Sequence, residues 1–201
     1  MTRPVPGPQR DAERTRARLL EAAAAAIGEK GPEVSLDLVA RRAGVSKGGL
    51  LHHFPSRDAL LEALMRHLLA AFDTSVEREL ERAQAEDPTE ADAPGRLTRA
   101  YVRAVFADLA EGDRAREQIT LMGMIGASEA VSHVLRTDDE SWRSRVAGDG
   151  LEPLRAELVM KAADGLTASL MWSRTPAREH VELRDLLLAL TRSTGPVDPS
   201  A

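Results

Sequence analysis

Residues 35–54 read Ser-Leu-Asp-Leu-Val-Ala-Arg-Arg-Ala-Gly-Val-Ser-Lys-Gly-Gly-Leu-Leu-His-His-Phe, and this stretch decides the fold of the N-terminal part. Between Leu36 and Ala43 apolar residues recur at i, i+3, i+4 and i+7, which predicts one buried helix face. Gly44 can adopt the positive φ that ends this helix, and Ser46 can cap a second one. The stretch therefore predicts two short helices joined by a glycine turn, which is the layout of a helix-turn-helix.

The second of these helices has a buried side and an outward side. Leu50 and Phe54 lie four residues apart and are expected to face the core. The outward residues are small or can form hydrogen bonds, as a helix lying in the DNA major groove requires. They are Lys47, Gly48, Gly49, His52 and His53. Neighbouring helix residues point about 100° apart and no third ligand is close in sequence, so DNA contact is favoured over a metal site at the two histidines.

The composition of the whole chain predicts an all-α protein. Its 201 residues are rich in Ala, Leu, Arg and Glu, and only 3% of them are aromatic. The absence of cysteine excludes disulfides and thiolate sites. No apolar run is long enough for a membrane span, and the N-terminus lacks the apolar stretch of a signal peptide. We therefore expect a cytoplasmic protein with no cofactor, no metal and no membrane partner.

The net charge of −5 is unevenly distributed along the chain. Residues 1–60 carry 10 Lys and Arg against 7 Asp and Glu, whereas the remainder carries 17 against 25. An acidic body repels phosphate, so the basic N-terminal segment is the part expected to bind a nucleic acid.

Proline and glycine residues predict the organisation of the chain. Residues 1–10 are expected to form a flexible arm and residues 195–201 a disordered tail. A helix-turn-helix domain is predicted over 11–56, with its first helix at 11–29, and a larger helical domain over 57–194. The later helices are expected near 57–86, 95–111, 113–126, 128–147, 151–174 and 177–194, with a loop over 87–95.

The run from residue 43 to residue 61 resembles the signature of the TetR family of bacterial transcriptional repressors. It reads Ala-Gly-Val-Ser-Lys-Gly-Gly-Leu over 43–50 and His-Phe-Pro-Ser-Arg-Asp-Ala-Leu-Leu over 53–61. The resemblance covers residues 11–65 in spacing, residue types and position. It implies a three-helix DNA-binding domain followed by a helical ligand-binding and dimerisation domain. It also implies a homodimer that binds a pseudo-palindromic operator and is released by a small-molecule effector.

The resemblance further assigns DNA contacts to individual positions. The implied backbone and phosphate contacts are Ser35, Arg41, Ser46 and Arg57, beside the recognition-helix surface of Lys47, Gly48, Gly49, His52 and His53. Two residues depart from the family pattern. Leu51 replaces a tyrosine that often contacts phosphate, which removes one expected anchor. Gly49 replaces a residue that often contacts bases. At this position the DNA sequence would therefore be recognised by the protein backbone or through the shape of the DNA.

Adaptable apolar side chains are concentrated in the C-terminal part. Five of the six aromatic residues follow residue 57, together with every methionine but the first. Most of them are needed in a helical core, and we expect a subset to line a ligand cavity. The candidates are Met65, Leu69, Phe72, Tyr101, Phe106, Met122, Met124, Trp142, Met160, Asp164 and Trp172.

Asp164 is charged among apolar neighbours, which leaves two interpretations open. A carboxylate inside a cavity would favour a cationic ligand. The more common arrangement is an aspartate paired with an arginine, such as Arg103 or Arg174. Acyl chains and other neutral lipophiles are the alternative ligands.

The last two predicted helices carry patterns typical of a helix–helix interface. Small residues form a stripe on the first, and leucines recur at i, i+3, i+4 and i+7 on the second. We expect them to build a four-helix dimer interface across a two-fold axis. The residues are Leu158, Ala162, Gly165, Ser169, Leu183, Leu186, Leu187 and Leu190.

Together these patterns favour a homodimeric repressor that leaves its double-stranded DNA operator when it binds a small lipophilic effector, which can be cationic. A ligand-responsive activator or a corepressor-type regulator is the alternative. An all-helical enzyme is disfavoured, because the chain has no nucleophile elbow, zinc motif, phosphate loop or recognisable catalytic carboxylate pair. A helix-turn-helix that packs on another protein is disfavoured by the basic N-terminal segment.

Overall fold

The computed structural model describes residues 8–169 and 180–193, and these ranges are helical with no strand, as the composition predicts. The helices are α1 Pro8–Lys30, α2 Leu36–Ala43, α3 Lys47–His53, α4 Arg57–Glu86, α5 Arg96–Ala110, α6 Asp113–Gly126, α7 Glu129–Ala147, α8 Pro153–Ser169 and α9 Val181–Leu190. None of these helices combines the length and the apolar character needed to cross a membrane.

Several element boundaries differ from the sequence expectation, and two of the differences have a clear physical cause. The first helix begins at Pro8 rather than residue 11, because proline fits the first turn of a helix, where its missing N–H has no partner to lose. The expected loop over 87–95 contains a short 3-10 helix, Pro88–Asp92, capped by the Asp87 carboxylate at the Thr89 N–H (2.9 Å). Residues 1–7 and 194–201, which hold most of the expected arm and tail, lie outside the described residues.

The described residues pack as two compact units. The first contains the chain up to His67 together with Leu121–Val134, and the second contains Leu68–Thr120 and the described residues from 135 onward. Helices α4, α6 and α7 therefore contribute residues to both units. This is a division by packing, and independent folding of residues 11–56 stays a prediction.

The first unit has a core of aliphatic side chains around one aromatic ring. Its fully buried residues include Leu19, Ile27, Val39, Leu50, Phe54, Leu60, Leu61, Leu64, Met65 and Ile125. They recur at helical spacing on α1, α2 and α4, which is why burying one face of each helix closes the core. The Arg18 guanidinium donates to the Ala43 carbonyl, so α1 also holds the end of α2.

The second unit is organised around α5, which packs against α8 and α9. The Asp149 carboxylate accepts from the Leu97 N–H (2.9 Å) and the Thr98 N–H (2.8 Å), so a distant loop caps the start of α5. Arg99 is 2% exposed and donates to Glu90, to the Pro94 carbonyl and to the Thr191 carbonyl. A buried cation thus ties together the segments that precede α5 and follow α9, with the Glu90 carboxylate as its counter-charge.

Candidate DNA-binding surface and ligand cavity

Helix α3 is held at its start by local capping. The Ser46 hydroxyl accepts a hydrogen bond from the Gly49 N–H at 3.0 Å, and Ser46 itself is extended, as a helix cap requires. Gly44 before it has a φ of +68° and ends α2 in the left-handed conformation. The turn chemistry expected from the sequence is therefore what fixes the angle between the two helices.

The outward face of α3 consists of a lysine, a glycine, a leucine and a histidine. These are Lys47, Gly48, Leu51 and His52, and all four are exposed. On the opposite side Leu50 is fully buried and the next turn ends at buried Phe54. Gly49 and His53 lie between the two faces and are half-buried. The helix thus presents Lys47, Gly48, Leu51 and His52 to a partner.

Several predicted DNA contacts already have intramolecular partners. The Lys47 ammonium lies 3.0 Å from the Asp37 carboxylate, in a pair that is half-exposed on both sides. The Ser35 hydroxyl accepts from the Leu38 N–H at 3.3 Å and caps α2. The Ser35 hydroxyl keeps its O–H donor and the Lys47 ammonium has three N–H donors, so both side chains can still donate to phosphate while keeping these partners.

The Arg57 side chain makes intramolecular hydrogen bonds that the sequence did not predict. Its guanidinium donates to the Pro32 carbonyl and to the Glu33 carboxylate (2.7 Å), so it locks the turn between α1 and α2. The expected phosphate anchor thus has a clear structural role as well. Arg41 is exposed on α2 and makes no ion pair with the described residues, which leaves it available for a phosphate.

The second unit contains a cavity of about 280 Å³ with both apolar and charged walls. It is lined by Tyr101, Leu135, Asp138, Asp139, Trp142, Arg143, Val146, Ala147, Pro153, Ala156, Glu157, Met160, Lys161 and Asp164. Four of these residues are acidic and two are basic. The cavity therefore offers one small organic molecule an apolar surface with an excess of negative charge.

Two aromatic rings line this cavity, and a third packs against both of them. Tyr101 and Trp142 pack edge to face with ring centroids 4.9 Å apart, and Phe72 packs on Tyr101 at 5.1 Å. The Arg145 guanidinium lies 4.0 Å from the Trp142 ring centroid and 3.1 Å from the Asp73 carboxylate. The ring orientations are thus fixed by packing and by a cation–π contact.

Asp164 lies at the cavity wall and pairs with a hydroxyl. It accepts a hydrogen bond from the Tyr101 hydroxyl, and the Lys161 ammonium is 3.9 Å away. Burial raises the pKa of Asp164, while the Tyr101 hydrogen bond and the Lys161 charge act in the opposite direction. Burial, with the Asp164 charge, also raises the pKa of Tyr101. The expected alternative pairing with Arg103 is not formed, and Arg174 lies outside the described residues.

The predicted cavity residues separate into four groups. Tyr101, Trp142, Met160 and Asp164 line the cavity, and Phe72 touches two of its rings. Phe106 is buried in the core of the second unit, and Leu69 is half-buried but does not line the cavity. Met65, Met122 and Met124 belong to the first unit, because α4 up to His67 and the end of α6 pack there. Trp172 lies outside the described residues.

Sequence reasoning missed most of the charged lining. Asp138, Asp139 and Arg143 lie on α7, and Glu157 and Lys161 lie on α8. On a surface helix such residues look like an ordinary solvated face. Trp142 among the α7 charges was the available signal, because an aromatic residue there marks the turn of the helix that faces inward.

The predicted dimer residues are mostly accessible. Leu158 is 49% exposed and Leu186 is 57% exposed, and Gly165 is exposed with open space around it. Half-buried positions are Ala162, Ser169, Leu183 and Leu190. Leu187 is 2% exposed because it packs in the core of the second unit, so it is not available to a partner.

Known proteins match this architecture along most of the chain. Residues 19–64 match the model of the bacterial regulatory proteins of the tetR family, and residues 95–192 match a tetracyclin repressor-like C-terminal domain. The HTH-type transcriptional regulator BetI of Pseudomonas aeruginosa is 31% identical over 163 residues, which cover 79% of this chain and 80% of that protein. BetI of Yersinia pestis is 36% identical over 110 residues, covering 54% of this chain and 48% of that protein.

Solved structures share the fold. The multidrug binding protein EbrR complexed with malachite green has a TM-score of 0.70 at 24% identity, covering 90% of this chain and 98% of that one. Its ethidium complex has a TM-score of 0.61 at 25% identity, with 88% and 97% covered. A TetR-family member from Streptomyces coelicolor A3 has a TM-score of 0.67 at 25% identity, with 91% and 99% covered.

An N-terminal helix-turn-helix and a helical domain with a ligand cavity define a class of DNA-binding transcriptional regulators. This chain belongs to the TetR family within that class, which agrees with the resemblance of residues 43–61.

Proposed function

We propose that this protein is a homodimeric repressor that occupies a pseudo-palindromic operator in the cytoplasm and leaves it when a small lipophilic cation enters the cavity. The observation that carries the proposal is the cavity itself. It places Asp164 and two further aspartates beside the Tyr101 and Trp142 rings.

Both features favour a cation over a neutral ligand. Aromatic faces attract a cation through the ring quadrupole, and carboxylates in a partly desolvated wall attract it by charge. The cavity volume of about 280 Å³ limits the occupant to one small molecule. EbrR, a structural neighbour at 25% identity, has been solved with ethidium, which is an aromatic cation. Arg143 and Lys161 lie 2.8 and 3.6 Å from the Asp139 carboxylate, and Lys161 lies 3.9 Å from Asp164, so a cationic ligand would compete with these two side chains for the carboxylates.

Repression follows from a difference in affinity between two states. Two recognition helices must lie about 34 Å apart to enter successive major grooves on one face of DNA. A ligand that binds better to a state with another spacing lowers operator affinity by its preference for that state. This role needs no catalytic group, and we infer none.

Operator binding is tested in a mobility-shift assay with the full chain and the DNA that flanks its own coding region. We expect saturable binding that weakens as salt is raised, because Lys and Arg side chains release counterions from phosphate. Absence of such binding would remove the proposal. An Arg41→Ala variant should bind more weakly by a similar factor on every DNA sequence.

Effector binding is tested with ethidium as the probe. Its binding to the full chain is measured by fluorescence polarisation. Asp164→Asn should weaken binding by about tenfold, the effect of removing one nearby charge at a partly screened site. Ethidium should lower operator affinity of the unmodified protein. An increase would instead make it a corepressor-type or activating regulator, and equal binding by both proteins would eliminate the role of Asp164.

A further inference from the structure

The recognition helix presents an exposed leucine at the position where an anchor to phosphate is expected. Leu51 is 37% exposed, whereas Leu50 beside it is fully buried. It lies four residues after Lys47 and three after Gly48, so these three positions form one continuous patch on the helix. A leucine cannot donate a hydrogen bond to phosphate, and its exposure is unfavourable in the free protein.

The surroundings of Leu51 favour close contact with a small apolar group. At Gly48 an added Cβ would meet nothing nearer than the Ser46 hydroxyl at 3.9 Å, so the fold does not require glycine there. A glycine inside a helix lowers stability relative to alanine. Its presence at position 48 therefore indicates that a binding partner comes close to the helix backbone there. Because Gly48 has no side chain, it leaves one side of Leu51 uncovered.

The one cation of this patch already has a counter-charge. The Lys47 ammonium is paired with the Asp37 carboxylate at 3.0 Å, and the pair is half-exposed. Lys47 can therefore still bind phosphate, whereas the Leu51 side chain beside it cannot. The exposed apolar side chain of Leu51 instead fits the apolar feature of the major groove, the 5-methyl group of thymine.

We propose that Leu51 is a specificity-determining residue that reads one thymine in each operator half-site through its 5-methyl group. This inference rests on the proposed operator binding. It adds a direct base contact to a helix whose glycines leave few other side chains to read bases.

The test begins by selecting operators for the full-length protein from a randomised duplex library. Each thymine of the selected site is then replaced by deoxyuridine, which removes the methyl group and keeps base pairing. At one thymine per half-site the replacement should weaken binding by about fourfold, the effect of one buried methyl group. At other thymines it should have no effect.

Variants of Leu51 identify the partner of that methyl group. Leu51→Ala should bind the thymine and deoxyuridine operators equally, while Leu51→Met, which keeps an apolar side chain, should retain the discrimination. Leu51→Gln is polar and of similar length, so it should lose the discrimination. Because Leu51 is exposed, these substitutions should leave the unfolding transition nearly unchanged.

The salt dependence of DNA binding distinguishes a base contact made by Leu51 from a purely structural role of this residue. Overall affinity should fall as salt is raised, whereas the thymine-to-deoxyuridine ratio should stay constant, because an apolar contact releases no counterions. A ratio that is equal in the Leu51→Ala variant and the unmodified protein would overturn the inference and leave operator binding intact. Failure to enrich any sequence in the selection would overturn the proposed function and the inference with it.

Discussion

Ser46 fixes the start of the recognition helix with one hydrogen bond from the Gly49 N–H. Helix α3 needs this bond more than most helices do, because it contains two consecutive glycines and spans seven residues. Ser46→Ala should lower the free energy of unfolding by about 1 kcal/mol and should also weaken operator binding. Urea unfolding and a mobility-shift assay would measure the two effects.

Ser56→Ala is the matched control for this prediction. The Ser56 hydroxyl accepts from the Ala59 N–H at the same 3.0 Å distance, but it caps the start of α4. We expect a similar loss of stability from it without a comparable loss of DNA affinity. Equal effects of the two variants on DNA binding would mean that Ser46 acts on the domain as a whole.

Asp164 gives the protein a pH dependence whose sign follows from its surroundings. Burial is the largest influence and raises the pKa of Asp164, so the folded protein keeps this proton to a higher pH than the unfolded chain. The resulting stabilisation is present at low pH and is lost as pH rises through the raised pKa. In Asp164→Asn this loss is absent, so its free energy of unfolding relative to the unmodified protein should increase as the pH rises above about 4, the ordinary pKa of an aspartate.

Tyr101→Phe tests the cause of this shift. The Tyr101 hydrogen bond lowers the pKa of Asp164 and so opposes burial. Without that bond the pKa should rise further, and the pH at which stability declines should move upward. Urea unfolding at several pH values would show this, and curves that run parallel for all three proteins would contradict it.

At the scale of one element, α3 and the turn before it contain glycines with opposite roles. Gly44 has a positive φ, and an added Cβ there would lie 3.1 Å from the Arg18 guanidinium. Gly48 is helical and has room for a Cβ. Gly44→Ala should therefore destabilise the protein by about 1 kcal/mol or more, since L residues disfavour this backbone region.

Gly48→Ala should do the reverse for stability. Alanine in the helix should raise the free energy of unfolding by about 0.5–1 kcal/mol. The new methyl group would lie on the outward face, so operator affinity should fall although the fold is more stable. Thermal unfolding and DNA titration of the same sample separate the two effects, and a gain in both would remove Gly48 from the DNA-binding surface.

The helices were predictable because their boundaries depend on local chemistry. Gly44 ends α2 and Ser46 caps α3 as predicted, since caps and positive φ need only neighbouring residues. The cavity was less predictable. Its lining depends on which turn of α7 faces inward, and this follows from packing against distant residues. Met65 shows why cavity residues are hard to predict from the sequence. An apolar side chain fits a cavity and a core equally well, and Met65 is buried in the core.

At the scale of the whole molecule, the first 60 residues have a positive net charge (10 Lys and Arg against 7 Asp and Glu), while the remainder has a negative one (17 against 25). One recognition helix presents few base-reading side chains, so a single copy has a small footprint on DNA. In the proposed homodimer, two copies held at a fixed spacing would contact two half-sites at once, and the second contact would gain from the effective concentration created by the first. Loss of the dimer should therefore cost more DNA affinity than any one contact on α3.

Gly165 tests this directly, because the chain itself leaves the position open. An added Cβ would meet nothing within 4 Å, and the residue is exposed on α8. Gly165→Leu should therefore leave the folded protomer intact, while in the proposed dimer its side chain would separate the two α8 helices, which we expect to pack closely through small residues. Sedimentation should show monomers, and operator binding should weaken strongly. Gly28→Leu is the matched control, since Gly28 is an exposed helical glycine on α1 with equally open surroundings. If both variants sediment as dimers, the α8 face is not the interface, and the leucines exposed beside it need another partner.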